Sequence, residues 1–570
     1  MLSPHSRSIH FSAAGHRAPS PHQASTHGAS HGVAAVFLLS LAVGLTHSLS
    51  RTAAVPSFVF SPSQEKNQTP NLSFLSFFHV QRRLHRCGGF NGFPPPQYVD
   101  EAEGTFPANT GRQGGHVRLR DHCLRSEPHR PRARLCRLRC AVSIIARANE
   151  LGEDPLTLSN RYCTEFQSDM AHLHCLTPTF EPRVSTHMSQ IIHMIKQILV
   201  NGFAYSIDGD VYFSVDKYPS YGQLSGRRLE DNQPGQRVAV DSRKQNPADF
   251  ALWKASKDGE PFWESPWGPG RPGWHIECSA MSATYLGHSF DIHGGGMDLV
   301  FPHHENEIAQ SCAACKESNV NYWVHNGFVD VGSEKMSKSL GNFVTIRQVI
   351  EVYHPLALRL FLIGTHYRST ISYSIAQLEI ASDRLYYIYQ TICDCDNSLN
   401  QFNGENLKDY VPKYIVDCIN KFLFDFEKSL ADDLHTPIAL ASFSEPLKII
   451  NDLLHTRKGK KEHMRMESLM LLGNEIKDGL HILGLKPSSF SEALFQLREK
   501  ALKRAELTEE QVLQKIEERS SARKAKLYEK SDVIRKELAA VGITLMDGAD
   551  ETSWRPAVPL HVQEQLPSAL

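Results

Sequence analysis

At 570 residues, of which 41% are hydrophobic, the chain carries enough apolar material for several packed domains, which excludes a wholly disordered or low-complexity protein. Its 61 basic and 62 acidic residues leave a formal net charge of −1, so overall charge points to no nucleic-acid partner; that would need local basic patches. Twelve cysteines without framework spacing exclude a disulfide scaffold and indicate a reducing compartment.

The charge is unevenly placed. Residues 1–140 hold sixteen Lys and Arg against six Asp and Glu, leaving 45 against 56 for the rest. Residues 1–64 contain no acid and are rich in Ser, His and Ala, the pattern of an organelle transit peptide. The apolar run 33–45 is too short to span a bilayer and has the shape of a signal-peptide core. Residues 65–140 abound in Pro, Gly and Arg without a sustained helical or strand period, so the whole of 1–140 is expected to be a disordered, non-native region.

Periodicity starts near residue 144. Helices are expected over 155–174 and over 185–201, the second with Ile191, Ile192, Ile195 and Leu199 on one face and Gly202 as its stop. Residues 210–215 alternate like a strand. There follow a strand and turn around 263–276, a helix from Ser279, a strand ending before His293 and a helix opened by Pro302. Alternating strands and helices predict a parallel α/β sheet whose ligand crevice lies outside the carboxyl ends of its strands. After Val344 the pattern turns helical, with helices expected over 378–399, 412–432, 436–455 and 467–483, and a basic loop at 457–461. Residues 492–538 alternate Lys, Arg and Glu at helical spacing, which by charge alone reads as a solvated, salt-bridged face. Trp554 either stacks a base or seals a small terminal core.

Three stretches carry chemistry: GWHIECSAM at 273–281, DIHGGGMDLVFPHHENEIAQS at 291–311 and KMSKS at 335–339. Cys278 follows a Gly-Trp turn, and Pro302 is placed to open a helix on which His303 and Glu307, at i and i+4, share a face. Cys, His and Glu are three zinc donors that leave a fourth position open. Gly294, Gly295 and Gly296 form an expected turn that would let backbone approach a nucleotide. Lys335 and Lys338 are mobile point charges suited to a transferring phosphate. Cys312 and Cys315 have the spacing of a metal or redox pair, but no second pair completes a site, and a packed helix is the competing reading.

In this order and spacing the three stretches resemble the cysteinyl-tRNA synthetases, which are class I aminoacyl-tRNA synthetases. The likeness runs at motif level over 144–368, with HPLALRLFLIGTHYRS at 354–369 similar to the stem-contact region, and more loosely to Trp554. It implies an α/β fold: a Rossmann-like (HUP-type) parallel sheet, incomplete in its first half, then an α-helical bundle and a small C-terminal anticodon-binding module. The implied domains are 141–345 (catalytic, with a connective insert at about 185–260 that includes NPADFALWK at 246–254, and a second half at 261–345), 346–490 (stem-contact and helical bundle) and 491–570 (anticodon-binding). The implied reaction is ATP-dependent activation of cysteine to an adenylate and its transfer to tRNA(Cys).

The same resemblance implies roles for residues. Cys278, His303 and Glu307 would hold one Zn²⁺ per chain; Trp274 and His293 would close around the substrate side chain; Gly294, Gly295, Gly296 and Asp298 would face the adenosine. Lys335, Met336, Ser337, Lys338 and Ser339 would bind ATP with its Mg²⁺, Lys335 and Lys338 being catalytic. The implied partners are tRNA(Cys), cysteine and ATP, with no membrane and a monomeric chain. The location implied is intracellular: cytoplasmic, with mitochondrial or chloroplast import as the alternative. Two competing readings are an inactive tRNA-binding remnant and a ligase joining the adenylate to an amino sugar; the tail from Glu492 argues against the latter.

One departure from the family is large. Its first half supplies a CGxTxYD stretch with a further zinc cysteine, a HIGH motif and a TDVDDK strand end, and this sequence contains none of them. Yet permitted codons for residues 116–140, read one base later, spell MYVCGITAYDLSHIGHARVCVAFD, and residues 101–108 shift likewise into RRKELFRP. Residues 96–140 are therefore expected to be a frame-shifted translation of the first motif, with 141–143 marking the further loss of the TDVDDK segment. The expectation is that this region lacks stable structure and that the chain as written is inactive, while its gene's intact product is a synthetase.

Overall fold

The computed structural model describes residues 147–228, 241–257, 260–332, 334–336, 343–400, 411–548 and 551–563, with only the backbone of 334 and 335. Residues 96–140, their expected frame shift, and Ser337, Lys338 and Ser339 lie outside the described residues.

Helix α1 (Pro155–His172) starts where expected, with Pro155 in its first turn and the Asp154 carboxylate capping the Thr157 amide at 2.9 Å. Helix α2 (Met188–Val200) buries Ile191, Met194, Ile195 and Ile198; of the expected face Ile191 and Ile195 are buried, while Ile192 and Leu199 are only partly so, because the core lies on the side that Met194 and Ile198 share. An antiparallel four-stranded sheet follows, in the order β1 (Ala204–Ile207), β2 (Asp210–Phe213), β3 (Phe250–Ala255) and β4 (Gly270–Pro272). Val211, Phe213, Leu252 and Trp253 of this sheet share one core with α2, with helix α3 (Trp274–Leu286) and with helix α4 (Glu305–Ala314).

Between α3 and α4 runs β5 (Ser289–Gly296), which pairs in parallel with β6 (Asn319–Asn326), so Gly296 lies opposite Asn326 and both strands end at one rim. Strand β7 (Val329–Val331) continues from β6 and pairs antiparallel with β8 (Glu334–Lys335) and parallel with a later strand, β9 (Ile371–Tyr373). These parallel pairings bear out the expected α/β class.

Helices α5 (Ile346–Val352) and α6 (Pro355–Ile363) precede β9, the first closed by a reciprocal cap between Thr345 and Gln348. The bundle comprises α7 (Ile375–Leu399), α8 (Lys413–Ala431), α9 (Thr436–Ala441), α10 (Ser444–His455) and α11 (Arg465–Ile482). The expected single helix over 436–455 is thus two. Pro446 explains the break: it has no amide proton and its ring clashes with a preceding turn, so it is accommodated only in the first turn of α10.

The described residues end with α12 (Phe490–Ala505), α13 (Glu509–Lys524), α14 (Tyr528–Ala540), the hairpin β10 (Ile543–Asp547) and β11 (Thr552–Pro556), and α15 (Leu560–Gln563). Trp554 packs with Val512, Ile516, Ile534 and Leu538, donates its indole N–H to Glu509 at 2.9 Å and carries the Arg498 guanidinium 4.0 Å above its ring. It seals the terminal core and is not available to stack a base. Among the described residues no helix is long and apolar enough to cross a membrane.

His354 caps α6: its Nδ1 accepts the Leu356 amide proton at 3.1 Å, and its Nε2 lies 3.1 Å from the Gln496 carbonyl oxygen. Burial lowers its pKa from 6.5 to about 4, outweighing the hydrogen bond to Gln496. The folded chain therefore binds fewer protons than the unfolded chain between those values. This contribution to stability is full above pH 6.5 and is lost progressively as pH falls toward 4, with a slope of at most about 1.4 kcal/mol per pH unit. In His354→Asn, which retains a capping acceptor, the loss of urea stability between pH 7 and 4.5 should be smaller than in the parent; an identical loss would contradict it.

Candidate active site

The site is built where α3 and α4 cross beneath the end of β5. Gly273 precedes the first turn of α3, and a Cβ there would fall 2.0 Å from the Ala251 carbonyl oxygen, so only glycine lets the helix start so close to β3. The expected helix from Ser279 thus begins at Trp274, and Cys278 stands inside it, one turn after Trp274, rather than following a turn. The other half deviates too. Residues Val300–His304 form a π-type turn broken at Phe301, where the Phe301–Pro302 bond is cis, and the regular helix starts at Glu305 instead of Pro302. Backbone from Pro302 onward is nonetheless helical, so His303 and Glu307 keep their common face.

Cys278, His303 and Glu307 are all buried, and one donor atom from each lies within 4.8 Å of the others. The His303 Nε2 stands 3.4 Å from the Cys278 Sγ and 2.8 Å from a Glu307 oxygen. These are near the spacings of donors around one small cation, and thiolate, imidazole and carboxylate together suit zinc. His275, one turn before Cys278, brings its Nδ1 to 2.7 Å from the His303 Nδ1. If His303 offers Nε2 to a metal, its Nδ1–H donates to His275, which fixes tautomer and ring plane. The Trp274 ring covers His303 at 4.1 Å between centroids.

A second group overlaps the first. His293, His304 and Glu307 also bring donor atoms within 4.8 Å, with His293 Nε2 3.4 Å from Glu307 and His304 bonded to His325 at 2.8 Å. The Trp323 ring lies 4.6 Å from His293 and 5.2 Å from His304. Glu305 and Asn306 serve a different end. The buried Glu305 carboxylate accepts the amides of Gly222 and Ser225, both at 2.9 Å, and Asn306 accepts the Tyr221 hydroxyl, so they tie the connective loop to the start of α4. Helical geometry divides HHENE in two, groups that could hold a metal ion on one side and loop anchors on the other.

The glycine run differs from expectation. Gly294, Gly295 and Gly296 are the last residues of β5, not a turn, and a Cβ on Gly295 would lie 2.9 Å from the His304 ring. The missing side chain makes room for His304 against the strand. Asp298 follows in a short 3-10 turn, Met297–Leu299. The first part of KMSKS is strand rather than loop: Lys335 pairs with Asp330, and the Met336 amide bonds the Val329 carbonyl at 3.0 Å. Cys312 lies on α4 and Cys315 just past it, and neither belongs to a metal-competent group among the described residues.

Sequence reasoning missed His275, His304, His325 and Trp323. The first two had a signal, since His275 precedes Cys278 by three residues and His304 precedes Glu307 by three, each a helical neighbour distance. His325 and Trp323 reach the site only through β5–β6 pairing. The geometry predicts that His275→Ala leaves secondary structure intact and weakens zinc binding about 10–100-fold; unchanged zinc affinity would contradict the orienting role.

Residues 141–383 match the family described as the tRNA synthetases class I (C) catalytic domain. Over 420 residues the chain is 70% identical to "Cysteine–tRNA ligase CPS1 homolog, chloroplastic/mitochondrial" of Oryza sativa subsp. japonica, covering 74% of each chain. It is 67% identical over 421 residues to "Cysteine–tRNA ligase, chloroplastic/mitochondrial" of Arabidopsis thaliana, covering 74% of this chain and 75% of that one. It is also 46% identical over 417 residues to the "Cysteine–tRNA ligase" of Trichlorobacter lovleyi, covering 72% and 84%. On this sustained likeness the chain belongs to the cysteine–tRNA ligase family of class I aminoacyl-tRNA synthetases.

Proposed function

We propose that the protein is a cysteine–tRNA ligase that activates cysteine with ATP and transfers it to tRNA(Cys), and that Cys278, His303 and Glu307 hold its zinc. The observation that supports this most is the burial of those three donors within 4.8 Å of one another, on segments 274–286 and 300–314, with His293 of β5 3.4 Å from Glu307. Zinc, when bound, supplies a soft Lewis acid that prefers a thiolate to a hydroxyl, which distinguishes cysteine from serine where an apolar pocket would not.

The chain's own residues do the rest. His275 orients His303, and Trp274 shields it from water on one face. His293, held between Glu307 and Trp323, stands beside the donors and would face the amino acid. Gly294 to Gly296 and Asp298 would flank the adenosine. Lys335 and Lys338, with Met336, Ser337 and Ser339, would stabilise the charge that develops on the phosphates as pyrophosphate departs, Mg²⁺ accompanying the ATP. The helical bundle and terminal module would carry the tRNA, with the chain acting as a monomer. The relatives' names support an intracellular location, and the acid-free residues 1–64 support organelle import over the cytoplasm.

The shifted reading of residues 116–140 would add a fourth donor and the HIGH motif. Cysteine-dependent ATP–pyrophosphate exchange should therefore be undetectable in the chain as written, appear when the frame is restored, and be lost again in the restored Cys278→Ala. Equal exchange with and without the restored frame would overturn the frame reading. No exchange in either form would overturn the proposed activity.

A further inference from the structure

We infer that Asp433, in the turn between α8 and α9 of the bundle, is a positioning residue for the strands that carry Lys335 and Met336. The functional half of this inference rests on the reading of those residues as the ATP-binding segment.

The turn itself is unusual. Asp433 and Leu434 both have left-handed backbone, with φ of 55° and 53°. Two consecutive non-glycine residues in that region carry a conformational cost, borne only where surroundings over-determine it. At Asp433 the surroundings are one loop, residues 366–369, which contributes three side chains. The Tyr367 hydroxyl donates to Oδ1 at 2.6 Å, and Arg368 donates from Nε to Oδ2 at 2.5 Å and from a terminal nitrogen to Oδ1 at 3.1 Å. The His366 Nδ1 accepts the Arg368 amide proton, so its Nε2 carries the ring hydrogen and donates to the Asp433 carbonyl at 3.1 Å. Nearby, Thr436 donates to the Ile363 carbonyl at 2.7 Å, which ties α9 to the end of α6.

Exposure decides which contact holds the loop. Arg368 and Asp433 side chains are 61% and 42% exposed, and such an ion pair alone contributes little. Tyr367 is 5% exposed, so its hydroxyl is fixed in a buried setting where losing the acceptor is costly. Hydrogen bonds from Arg368 and Tyr367 outweigh the effect of burial and hold the Asp433 carboxyl below its ordinary range, which keeps it ionised and accepting.

From the loop the restraint passes to the strands. The Tyr367 carbonyl accepts the Gly327 amide at 2.7 Å, and Gly327 has no room for a side chain, since a Cβ would sit 2.1 Å from the Ser369 carbonyl oxygen. Gly327 and Phe328 connect β6 to β7, and the Phe328 carbonyl accepts the Ile371 amide at 2.8 Å, which starts the β7–β9 pairing. On the other edge of β7 lie Lys335 and the buried Met336. A carboxylate in the bundle thus fixes, through one loop, the strand on which the KMSKS segment begins.

The test compares the full chain with Asp433→Asn and Tyr367→Phe by amide hydrogen exchange, and the frame-restored chain with the same two variants by equilibrium binding of ATP with Mg²⁺. Asparagine tolerates the left-handed conformation but turns an N–H₂ toward donors, and the phenylalanine variant removes only the buried hydroxyl bond. In both, the Gly327, Met336 and Ile371 amides should exchange at least about tenfold faster while the Ile543–Asp547 hairpin is unchanged, and ATP affinity should fall several-fold with no change in cysteine affinity. Unchanged exchange at those three amides in both variants would overturn the restraint. Faster exchange with unchanged ATP affinity would overturn the positioning role. A frame-restored chain that binds no ATP would overturn the reading of the Lys335 segment, and with it the functional half of the inference, while the amide rates still decide the restraint.

Discussion

The contact between Trp274–Leu286 and Glu305–Ala314 is the constraint on which the rest of the catalytic half depends. A buried carboxylate, imidazole and thiol are costly to desolvate, by several kcal/mol for an isolated ion, so they persist only as one another's partners or as ligands. Small residues suit their approach: Ala280, Ala309 and Ala313 share one core, and the Ser279 hydroxyl, next to Cys278, donates to Gln310 at 2.8 Å. Gly273 and Gly295 set the depth at which the helices lie against the strands. The connective sheet then acts as a brace, holding one helix through β4 and the other through the loop that Glu305 binds.

Much of this was legible in the residues. The His303 and Glu307 pairing needed only helical spacing, and Cys278 needed only the chemistry of its partners. What the sequence could not disclose was local or long-range. The helical start at Trp274 depends on the clearance between Gly273 and Ala251, a contact between segments over twenty residues apart in the chain. Three glycines in a row read as a turn because glycine tolerates unusual backbone, yet here they serve an extended strand that must pass a histidine ring. Trp554 was ambiguous by type alone; its burial against Val512 and Ile534 is decided by the fold of the terminal helices. Charge alternation over 492–538 showed helical spacing but hid its division into three helices and their sparse buried residues, such as Val512 and Ile516 in α13.

The helical half is attached to the catalytic half through charged groups that are well partnered. Arg504 of α12 pairs with the buried Glu379 of α7 at 2.8 Å, and Glu379 also accepts the Tyr353 hydroxyl at 2.9 Å. Lys500 donates to the Ile350 and Glu351 carbonyls at the end of α5, where cations favour the exposed carbonyl ends of a helix. Breaking such a buried pair from one side costs more than breaking an exposed one, so Arg504 fixes α12 to α7, while the Lys500 hydrogen bonds join α12 to the end of α5.

The measurement that bears most directly on the central claim is zinc K-edge X-ray absorption on the zinc-loaded full chain in thiol-free buffer. The account predicts a shell with one sulfur at about 2.3 Å and nitrogen or oxygen donors at about 2.0–2.2 Å, with the sulfur lost in Cys278→Ala. A shell without sulfur in the parent, or one whose sulfur survives the substitution, would contradict it.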